Sequence, residues 1–360
     1  MPPIRVLIID DSVVVRRLLA DCLASDADIT VVGTASRGRI GLARIPQLQP
    51  DLITLDVEMP EMSGLETLRE IRRSYPRLPV IMFSTLTEQG ATTTLEALAL
   101  GASDYVTKPS KAGSVGAAMA RVRADLIPKI KALTGRTAAR RAEVGVPRIA
   151  AKAPRLPSGA VEVLAIGVST GGPNALAKLV PALPADLGVP ILIVQHMPPV
   201  FTRILAERLE KLGPFRVREG LPGEPVHPGE VWIAPGGRHM VARRQAGAVA
   251  VDLNDDPAEN SCRPAADVLF RSVAEVWGRH ALALVLTGMG QDGWRGSEAI
   301  HAAGGQILAQ DEESSVVWGM PGNVARAGLA DAIVPLDDLA GEVVRRIRGG
   351  LSHMRAREVG

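Results

Sequence analysis

Five polar side chains stand at the ends of short apolar runs in the first third of this 360-residue sequence. Asp10 and Asp11 follow the first run, and Asp56 follows the third. Ser84 and Lys108 close the fourth and fifth runs. Taken singly, each is an ordinary turn or loop residue. If the runs are parallel strands, however, their carboxyl ends meet at one edge of a sheet, and the five side chains converge there.

A group of this composition is suited to phosphoryl transfer onto aspartate. Three carboxylates repel one another unless a cation lies among them, and Mg²⁺ prefers oxygen ligands of this kind. One carboxylate can attack phosphorus while the metal and the lysine neutralise charge on the phosphoryl oxygens. We expect the hydroxyl of Ser84 to bond a phosphoryl oxygen and so to report its presence.

A second candidate site centres on Ser169 in the segment GVSTGG (residues 167–172). The segment has the form G-x-S-x-G, which presents a serine hydroxyl between a strand and a helix. Alone the match is weak, because glycine-rich turns also pack backbone closely or bind phosphate. His196 and Asp292 follow two further apolar runs, so a parallel sheet brings all three residues to one edge. Serine then attacks an acyl carbon, histidine takes its proton, and aspartate fixes the imidazole tautomer.

The apolar runs alternate with helical patterns along the whole chain, which predicts α/β architecture. The predicted strands of the first part are Ile4–Ile9, Thr30–Ala35, Leu52–Leu55, Val80–Phe83 and Asp104–Val106. Those of the second part are Val161–Val168, Pro190–Val194, Phe215–Arg218, Glu230–Ala234, Ala281–Leu286, Gln306–Ala309 and Asp331–Val334. A hairpin of His239–Arg244 with Ala248–Leu253 interrupts the second pattern. The predicted helices include one capped by Ser63, one from about Ser110 to Leu133, Asn174–Leu183, Phe201–Lys211, Arg263–Val276, Trp294–Ala303 and Leu336–Arg348.

These elements predict two α/β domains. Residues 1–133 form an N-terminal (βα)5 domain with a parallel five-stranded sheet, and residues 134–158, rich in proline, arginine and alanine, form a linker. Residues 159–350 form a C-terminal doubly wound, mainly parallel α/β domain with a β-hairpin, and residues 351–360 form a tail. The length fits two domains of ordinary size.

The composition is typical of an ordinary soluble globular protein. Apolar residues make up 46% of the chain and charged residues 22%, and the net charge is only +2, so no bulk attraction to nucleic acid or anionic membranes is expected. Cys22 and Cys262, the two cysteines, lack zinc or CxxC spacing, which fits a reducing compartment. We find neither a signal-peptide pattern nor an apolar run long enough to span a membrane. The sequence therefore predicts a cytoplasmic protein without membrane insertion.

The segments IIDDS, LDVEMPEMSG, FSTL and DYVTKP together resemble the receiver domain of two-component response regulators. The resemblance implies that Asp56 accepts phosphate from a histidine kinase. It implies a Mg²⁺ ion held by Asp10, Asp11, Asp56 and the main-chain carbonyl of Glu58. It also implies that Ser84 and Lys108 contact the phosphoryl group and that the packing of Tyr105 follows Ser84.

The segments GVSTGGP, QHMPP, APGGRHM and LTGMGQDG resemble the catalytic domain of the chemotaxis protein-glutamate methylesterases, over about residues 161–348. The resemblance implies Ser169 as nucleophile, His196 as general base and then acid, and Asp292 as the orienting carboxylate. It implies oxyanion donors in the main-chain N–H groups of Thr170 and Met289, and no cofactor in this domain. The implied substrates are methyl esters and particular glutamines in the cytoplasmic region of chemoreceptors, in adaptation of chemotaxis-type signalling. Phosphorylation of the receiver is expected to raise this activity.

Three alternatives remain open at this point. Residues 288–293 match G-x-G-x-x-G and Asp311 ends the next strand, which is a dinucleotide-binding pattern, although it occurs late in the domain. A response regulator with a nucleic-acid-binding output domain is disfavoured, because no basic recognition helix is present. A protein that binds receptors without catalysis is harder to exclude. His239, in APGGRHM, either lines a pocket or has a structural role.

Overall fold

A computed structural model describes residues 2–108, 115–135, 160–245 and 247–358. The chain forms two compact units, divided between Pro147 and Arg148. Most of the predicted linker at 134–158 and the first residues of the helix predicted from about Ser110 lie outside the described residues. Within the described part, no helix is both long and apolar enough to cross a membrane.

The first unit is a parallel five-stranded sheet with five helices. Its strands are β1 (Ile4–Ile9), β2 (Ile29–Ala35), β3 (Leu52–Asp56), β4 (Val80–Ser84) and β5 (Asp104–Thr107), in the order β2-β1-β3-β4-β5. Its helices are α1 (Val13–Ala24), α2 (Gly38–Leu48), α3 (Gly64–Ser74), α4 (Glu88–Ala99) and α5 (Val115–Leu133). The five strands that the sequence predicted are confirmed, each to within one residue at either end.

Local sequence explains how these elements begin and pack. Ser63 caps α3, since its side chain accepts a hydrogen bond from Glu66 N while the Glu66 side chain bonds back to Ser63 N, a capping box. The strands β1, β3 and β4 consist almost wholly of buried residues, as expected for a sheet covered on both faces. β3 pairs with both β1 and β4, so Asp56 ends the central strand beside Asp10.

The second unit has a parallel seven-stranded sheet and a separate antiparallel hairpin. The sheet has the order β14-β13-β12-β6-β7-β9-β8. Its strands are β6 (Val163–Val168), β7 (Ile191–Gln195), β8 (Arg216–Glu219), β9 (Glu230–Ile233), β12 (Ala281–Val285), β13 (Gln306–Gln310) and β14 (Ala332–Val334), and the hairpin is β10 (His239–Gln245) with β11 (Ala248–Asn254). The helices are α6 (Gly172–Ala182), α7 (Phe201–Leu212), α8 (Ala266–Trp277), α9 (Trp294–Ala302), α10 (Met320–Arg326) and α11 (Leu339–Glu358).

The core of this unit lies between the sheet, α8 and the hairpin, around the fully buried side chains of Phe270 and Trp232. Two helices differ from expectation. α10 was not predicted from the sequence. α11 continues past Arg348 to Glu358, so most of the predicted tail at 351–360 is helical backbone.

Candidate functional site

An acidic cluster lies at the carboxyl edge of the first sheet. Carboxylate oxygens of Asp10, Asp11 and Asp56 lie within 4.8 Å of one another. Lys108 Nζ lies 2.7 Å from Asp56 Oδ1 and 3.4 Å from Asp10 Oδ2. Burial raises the pKa of Asp56 to about 6, with Lys108 opposing this rise and Asp10 adding to it. The buried Asp56 Oδ2 has no hydrogen-bond partner. This excess of buried negative charge, with an unsatisfied oxygen, fits a hard divalent cation.

The other predicted receiver residues are Ser84, Tyr105 and Glu58. Ser84 is fully buried, and its hydroxyl donates a 3.1 Å hydrogen bond to the Gly90 carbonyl in α4 rather than to Asp56. Tyr105 is buried, with Lys129 Nζ 5.2 Å from the centre of its ring. Glu58 N lies 3.4 Å from Asp56 Oδ1, so the loop after β3 turns its main chain toward Asp56.

Ser169 occupies the turn between β6 and α6. The second and third residues after Ser169 must be glycine, because Gly171 has φ +81° and a Cβ at Gly172 would lie 1.9 Å from Gln195 Oε1. Directly after the adjacent strand β7, His196 N donates a 3.2 Å hydrogen bond to Val168 O. Ser169 and His196 therefore follow directly on paired positions of two neighbouring strands.

His196 and Asp292 form a close pair. His196 Nε2 lies 2.7 Å from Asp292 Oδ2. The Asp292 carboxylate also accepts hydrogen bonds of 2.6 Å from Ala266 N and 2.9 Å from Asp267 N, the first two residues of α8. Burial alone would raise the pKa of Asp292, but these bonds and the contact with His196 hold it below its usual value. The contact with His196 and the N-terminus of α8 together favour the ionised carboxylate.

The two nitrogens of His196 have different partners. An ionised Asp292 can only accept, so Nε2 carries a hydrogen and Nδ1 is the nitrogen left to act as a base. Cys262 Sγ lies 3.5 Å from Nδ1. Burial alone would lower the pKa of His196, but the hydrogen bonds with Asp292 and Cys262 raise it to about 10. Among the described residues, the Ser169 hydroxyl makes no hydrogen bond to His196.

The loop after β12 packs against the serine turn. Ser169 N donates to Thr287 O at 3.0 Å, and Thr287 Oγ1 donates to Thr170 O at 2.9 Å. A Cβ at Gly288 would lie 2.8 Å from Ser169 Cβ. The next residue is Met289, whose N–H makes no main-chain hydrogen bond among the described residues. An unpaired N–H beside the serine turn is what the predicted oxyanion role of Met289 requires.

Sequence reasoning missed one turn that contributes to the site. Residues Glu259 and Cys262 bond to each other through their main chains, and the two residues between them, Asn260 and Ser261, have φ +53° and φ +64°. Asn260 Nδ2 donates to Asp267 Oδ2 at 2.9 Å and to Asp292 Oδ1 at 3.2 Å. Asparagine at left-handed positions is a known turn signal, but it does not reveal what the turn contacts.

Side-chain contacts bear on two open interpretations, the role of His239 and the dinucleotide-binding pattern. His239 is fully buried, its Nδ1 accepts from Ala265 N, and its Nε2 lies 3.2 Å from Pro257 O; its role is structural. Within the G-x-G-x-x-G segment, Asp292 is the partner of His196. Asp311 is bonded to Ser314 N in its own loop. The dinucleotide-binding hypothesis therefore gains no support from either acidic residue.

The family models match both units. Residues 164–343 match the CheB methylesterase model, and residues 6–120 match the response regulator receiver domain. The chain is 52% identical over 351 residues to the protein-glutamate methylesterase/protein-glutamine glutaminase of Trichodesmium erythraeum, covering 96% of this chain and all of that protein. The chain belongs to the CheB methylesterase family. A second CheB relative with the same name, from Nocardioides sp., is 51% identical and covers 96% of each chain.

A solved CheB structure supports the fold of the second unit. The crystal structure of the Thermotoga maritima CheB methylesterase catalytic domain covers 52% of this chain and 98% of its own, with 39% identity and a TM-score of 0.51. The predicted architecture of a receiver domain followed by a parallel-sheet methylesterase domain is thus confirmed. The chain order Ser, His, Asp distinguishes it from α/β-hydrolases, where the histidine comes last.

Proposed function

We propose that this protein is a phosphorylation-activated hydrolase that removes methyl esters from glutamate side chains of chemoreceptors and deamidates particular receptor glutamines. The observation that carries the proposal is the His196–Asp292 pair, held at the N-terminus of α8 beside the turn of Ser169. Full-length relatives that carry the name protein-glutamate methylesterase/protein-glutamine glutaminase give the substrate class.

The chemistry follows from the positions of these groups. Ser169 Oγ attacks the ester carbonyl carbon, and its proton passes to His196 Nδ1 while Asp292 stabilises the imidazolium. The N–H groups of Thr170 and Met289 are the proposed donors to the oxyanion. Collapse of the tetrahedral intermediate breaks the C–O bond and releases methanol, which takes the proton from His196. Water then attacks the acyl-enzyme in the same way and leaves a glutamate carboxylate; from glutamine, ammonia departs instead of methanol.

The first unit is the proposed control element. Asp56 accepts a phosphoryl group from a histidine kinase, and Asp10, Asp11, Asp56 and the Glu58 carbonyl are the proposed ligands of Mg²⁺. The metal, when bound, supplies positive charge to the phosphoryl oxygens. Lys108, already at Asp56, adds a second positive charge. Ser84 leaves the Gly90 carbonyl to bond the phosphoryl group, and the packing of Tyr105 changes with it.

The proposed partners are a histidine kinase and the cytoplasmic region of methylated chemoreceptors. Both place the working protein in the cytoplasm. We propose no cofactor for the methylesterase domain, because the ester chemistry above uses side chains and main-chain N–H groups alone.

The test is methanol release from methylated receptor by the full-length protein. Ser169→Ala and His196→Gln should each lower kcat by roughly four to six orders of magnitude, since the groups act as a unit. His280→Gln is the matched control. His280 precedes β12 at the opposite edge of the same sheet, where its Nδ1 lies 2.7 Å from Ala160 O, and this variant should keep the wild-type rate.

Unchanged methanol release by Ser169→Ala would rule out the serine mechanism. If the wild type itself released no methanol yet bound receptor, the protein would be a binding protein without esterase activity, and the proposal would be wrong.

A further inference from the structure

The nitrogen of His196 that serves as base already has a partner in the absence of substrate. Nε2 is occupied by Asp292 at 2.7 Å, and Cys262 Sγ lies 3.5 Å from Nδ1. Ser169 must therefore use the same nitrogen that the thiol contacts. We propose that Cys262 is a positioning residue for His196, its thiol holding Nδ1 in place until Ser169 takes over that nitrogen. This inference rests on the proposed function and adds a residue to it.

The thiol of Cys262 is held in position by a hydrogen-bonded turn that is anchored to α8. Residues 259–262 form the turn described above, with two main-chain bonds between Glu259 and Cys262 of 3.1 and 2.8 Å. The turn is fixed to α8 by Arg271, whose two terminal nitrogens lie 2.8 and 2.5 Å from the Glu259 carboxylate. Asn260 fixes it further to Asp267 and Asp292. Cys262 thus has little freedom to leave the imidazole except by rotation of its own side chain.

Rotation of the Cys262 side chain would let its S–H donate to a second acceptor. Cys262 Sγ also lies 3.5 Å from the Asn260 carbonyl oxygen, so the S–H has two acceptors within reach. When it donates to Nδ1, the base is occupied. When it turns to the Asn260 carbonyl, Nδ1 is free to accept the Ser169 proton. The exchange moves one hydrogen bond and breaks no covalent bond.

The charged surroundings show why this contact affects the base. The titratable groups that touch the imidazole are Asp292 and Cys262. Behind them lie Asp267 and Glu259, with Arg271 bonded to the latter. When the ring is protonated, Nδ1–H can donate to Cys262 Sγ, and this hydrogen bond favours the imidazolium form, which cannot act as a base, so it raises the pKa of His196. Cys262 therefore shifts the pH at which His196 becomes competent.

The first measurement is the pH dependence of kcat/KM for methanol release by full-length protein. In Cys262→Ala the acid limb should move to lower pH by about one unit, which is a tenfold higher rate at a fixed pH on that limb. Cys262→Ser, whose hydroxyl can still accept a hydrogen bond from Nδ1–H, should move the limb in the same direction by less. A purely structural role would lower the rate at every pH and leave the limb in place, and that result would overturn the proposal.

The second measurement tests the contact without any esterase assay. A haloacetamide alkylates a thiolate, forming an S–C bond and expelling halide, and the rate at each cysteine is read by peptide mass spectrometry. Cys22, which is 3% exposed and whose pKa is raised by burial, is the internal control. Cys262 should react faster than the buried Cys22, and its rate should fall in His196→Gln but not in Ser169→Ala, while the rate at Cys22 stays the same in both variants.

The two measurements separate the possible failures. An inactive wild type with His196-dependent alkylation of Cys262 would reject the esterase while upholding the pair. Alkylation of Cys262 that is indifferent to His196→Gln would reject the pair even in an active esterase.

Discussion

At the scale of single residues, the orientation of His196 is the feature with most consequences. In the familiar serine-protease triad, Nδ1 faces the aspartate and Nε2 faces the serine. Here Nε2 faces Asp292, so Nδ1, the nitrogen nearer the main chain, must serve the serine. A short reach suffices because Ser169 and His196 continue two directly paired strands. The placement of Ser169 and His196 at adjacent strand ends and the orientation of the imidazole therefore go together: the short distance lets Nδ1 reach Ser169 while Nε2 contacts Asp292.

Asn260 solves a second problem at this scale, the closeness of two buried carboxylates. Asp267 and Asp292 are each 1% exposed. Burial raises the pKa of Asp267 to about 6, and the charge of Asp292 adds to this. The single amide nitrogen of Asn260 donates to both carboxylates. Each buried carboxylate therefore accepts a hydrogen bond, although neither ionised carboxylate could donate one to the other.

We therefore predict that Asn260→Ala lowers kcat for methanol release by about tenfold to a hundredfold. A hydrogen bond to a charged group contributes about 1.5–3 kcal/mol, and the variant removes one from the carboxylate that stabilises the imidazolium. The melting temperature should also fall. Asn254→Ala is the control. The Asn254 side chain accepts a hydrogen bond from Asp256 N, two residues along the chain, and has no hydrogen bond to Asp267 or Asp292 among the described residues. A lowered melting temperature with unaltered kcat would show that the amide serves only the fold.

The proposed catalytic residues were visible in the sequence, whereas Asn260 and Cys262 were not. Ser169, His196 and Asp292 each follow an apolar run, so the strand pattern itself marks them. Cys262 lies 66 residues from His196 in a turn that follows no strand of the sheet. Only tertiary folding brings that turn to the site, and no local pattern encodes the contact. The bond from Ser84 to Gly90 was missed for a similar reason, because its acceptor is a main-chain carbonyl in a helix.

At the scale of elements, the strands were predictable because each is a continuous apolar run buried on both faces. Their order was not, since β12 lies beside β6 although more than a hundred residues separate them. α10 escaped prediction because it has seven residues and begins with Met320 and Pro321, too short for a helical period. α11 was predicted to end at Arg348, yet the helix continues through Gly349 and Gly350 to Glu358.

The loop between β12 and α9 gives the element-scale prediction. Gly288→Ala should lower kcat by about tenfold to a hundredfold, because the new Cβ would lie 2.5 Å from Met320 Sδ and 2.8 Å from Ser169 Cβ and must displace the nucleophile. Methanol release and the melting temperature measure the two effects. Gly341→Ala, in α11 with nothing within 4 Å of its Cβ, is the control and should change neither. Full activity in Gly288→Ala would mean that the loop between β12 and α9 accommodates the new methyl group by moving itself, without displacing Ser169.

At the scale of the whole molecule, both units place their proposed functional residues in the same way, although the proposed reactions are phosphoryl transfer in one and ester hydrolysis in the other. In each, a parallel sheet gathers polar residues at the carboxyl ends of its strands. Burial there raises the pKa of Asp56, and a helix N-terminus together with His196 lowers that of Asp292. The first carboxylate sits in a crowded anionic cluster that suits a metal and a phosphoryl group. The second has a lowered pKa and lies beside the imidazole of His196, where we propose that it stabilises the imidazolium.

The proposed control of one unit by the other is tested through Asp56. With Mg²⁺ and a small acyl phosphate as phosphodonor, wild-type methanol release should rise, and chelating the metal should abolish that rise. Asp56→Asn should lose the stimulation entirely while keeping the basal rate, because the amide cannot attack phosphorus and the catalytic residues are untouched. Asp21→Asn, an exposed carboxylate in α1, should respond like the wild type. Stimulation that persisted in Asp56→Asn would place the phosphate elsewhere and leave the acidic cluster without its proposed role.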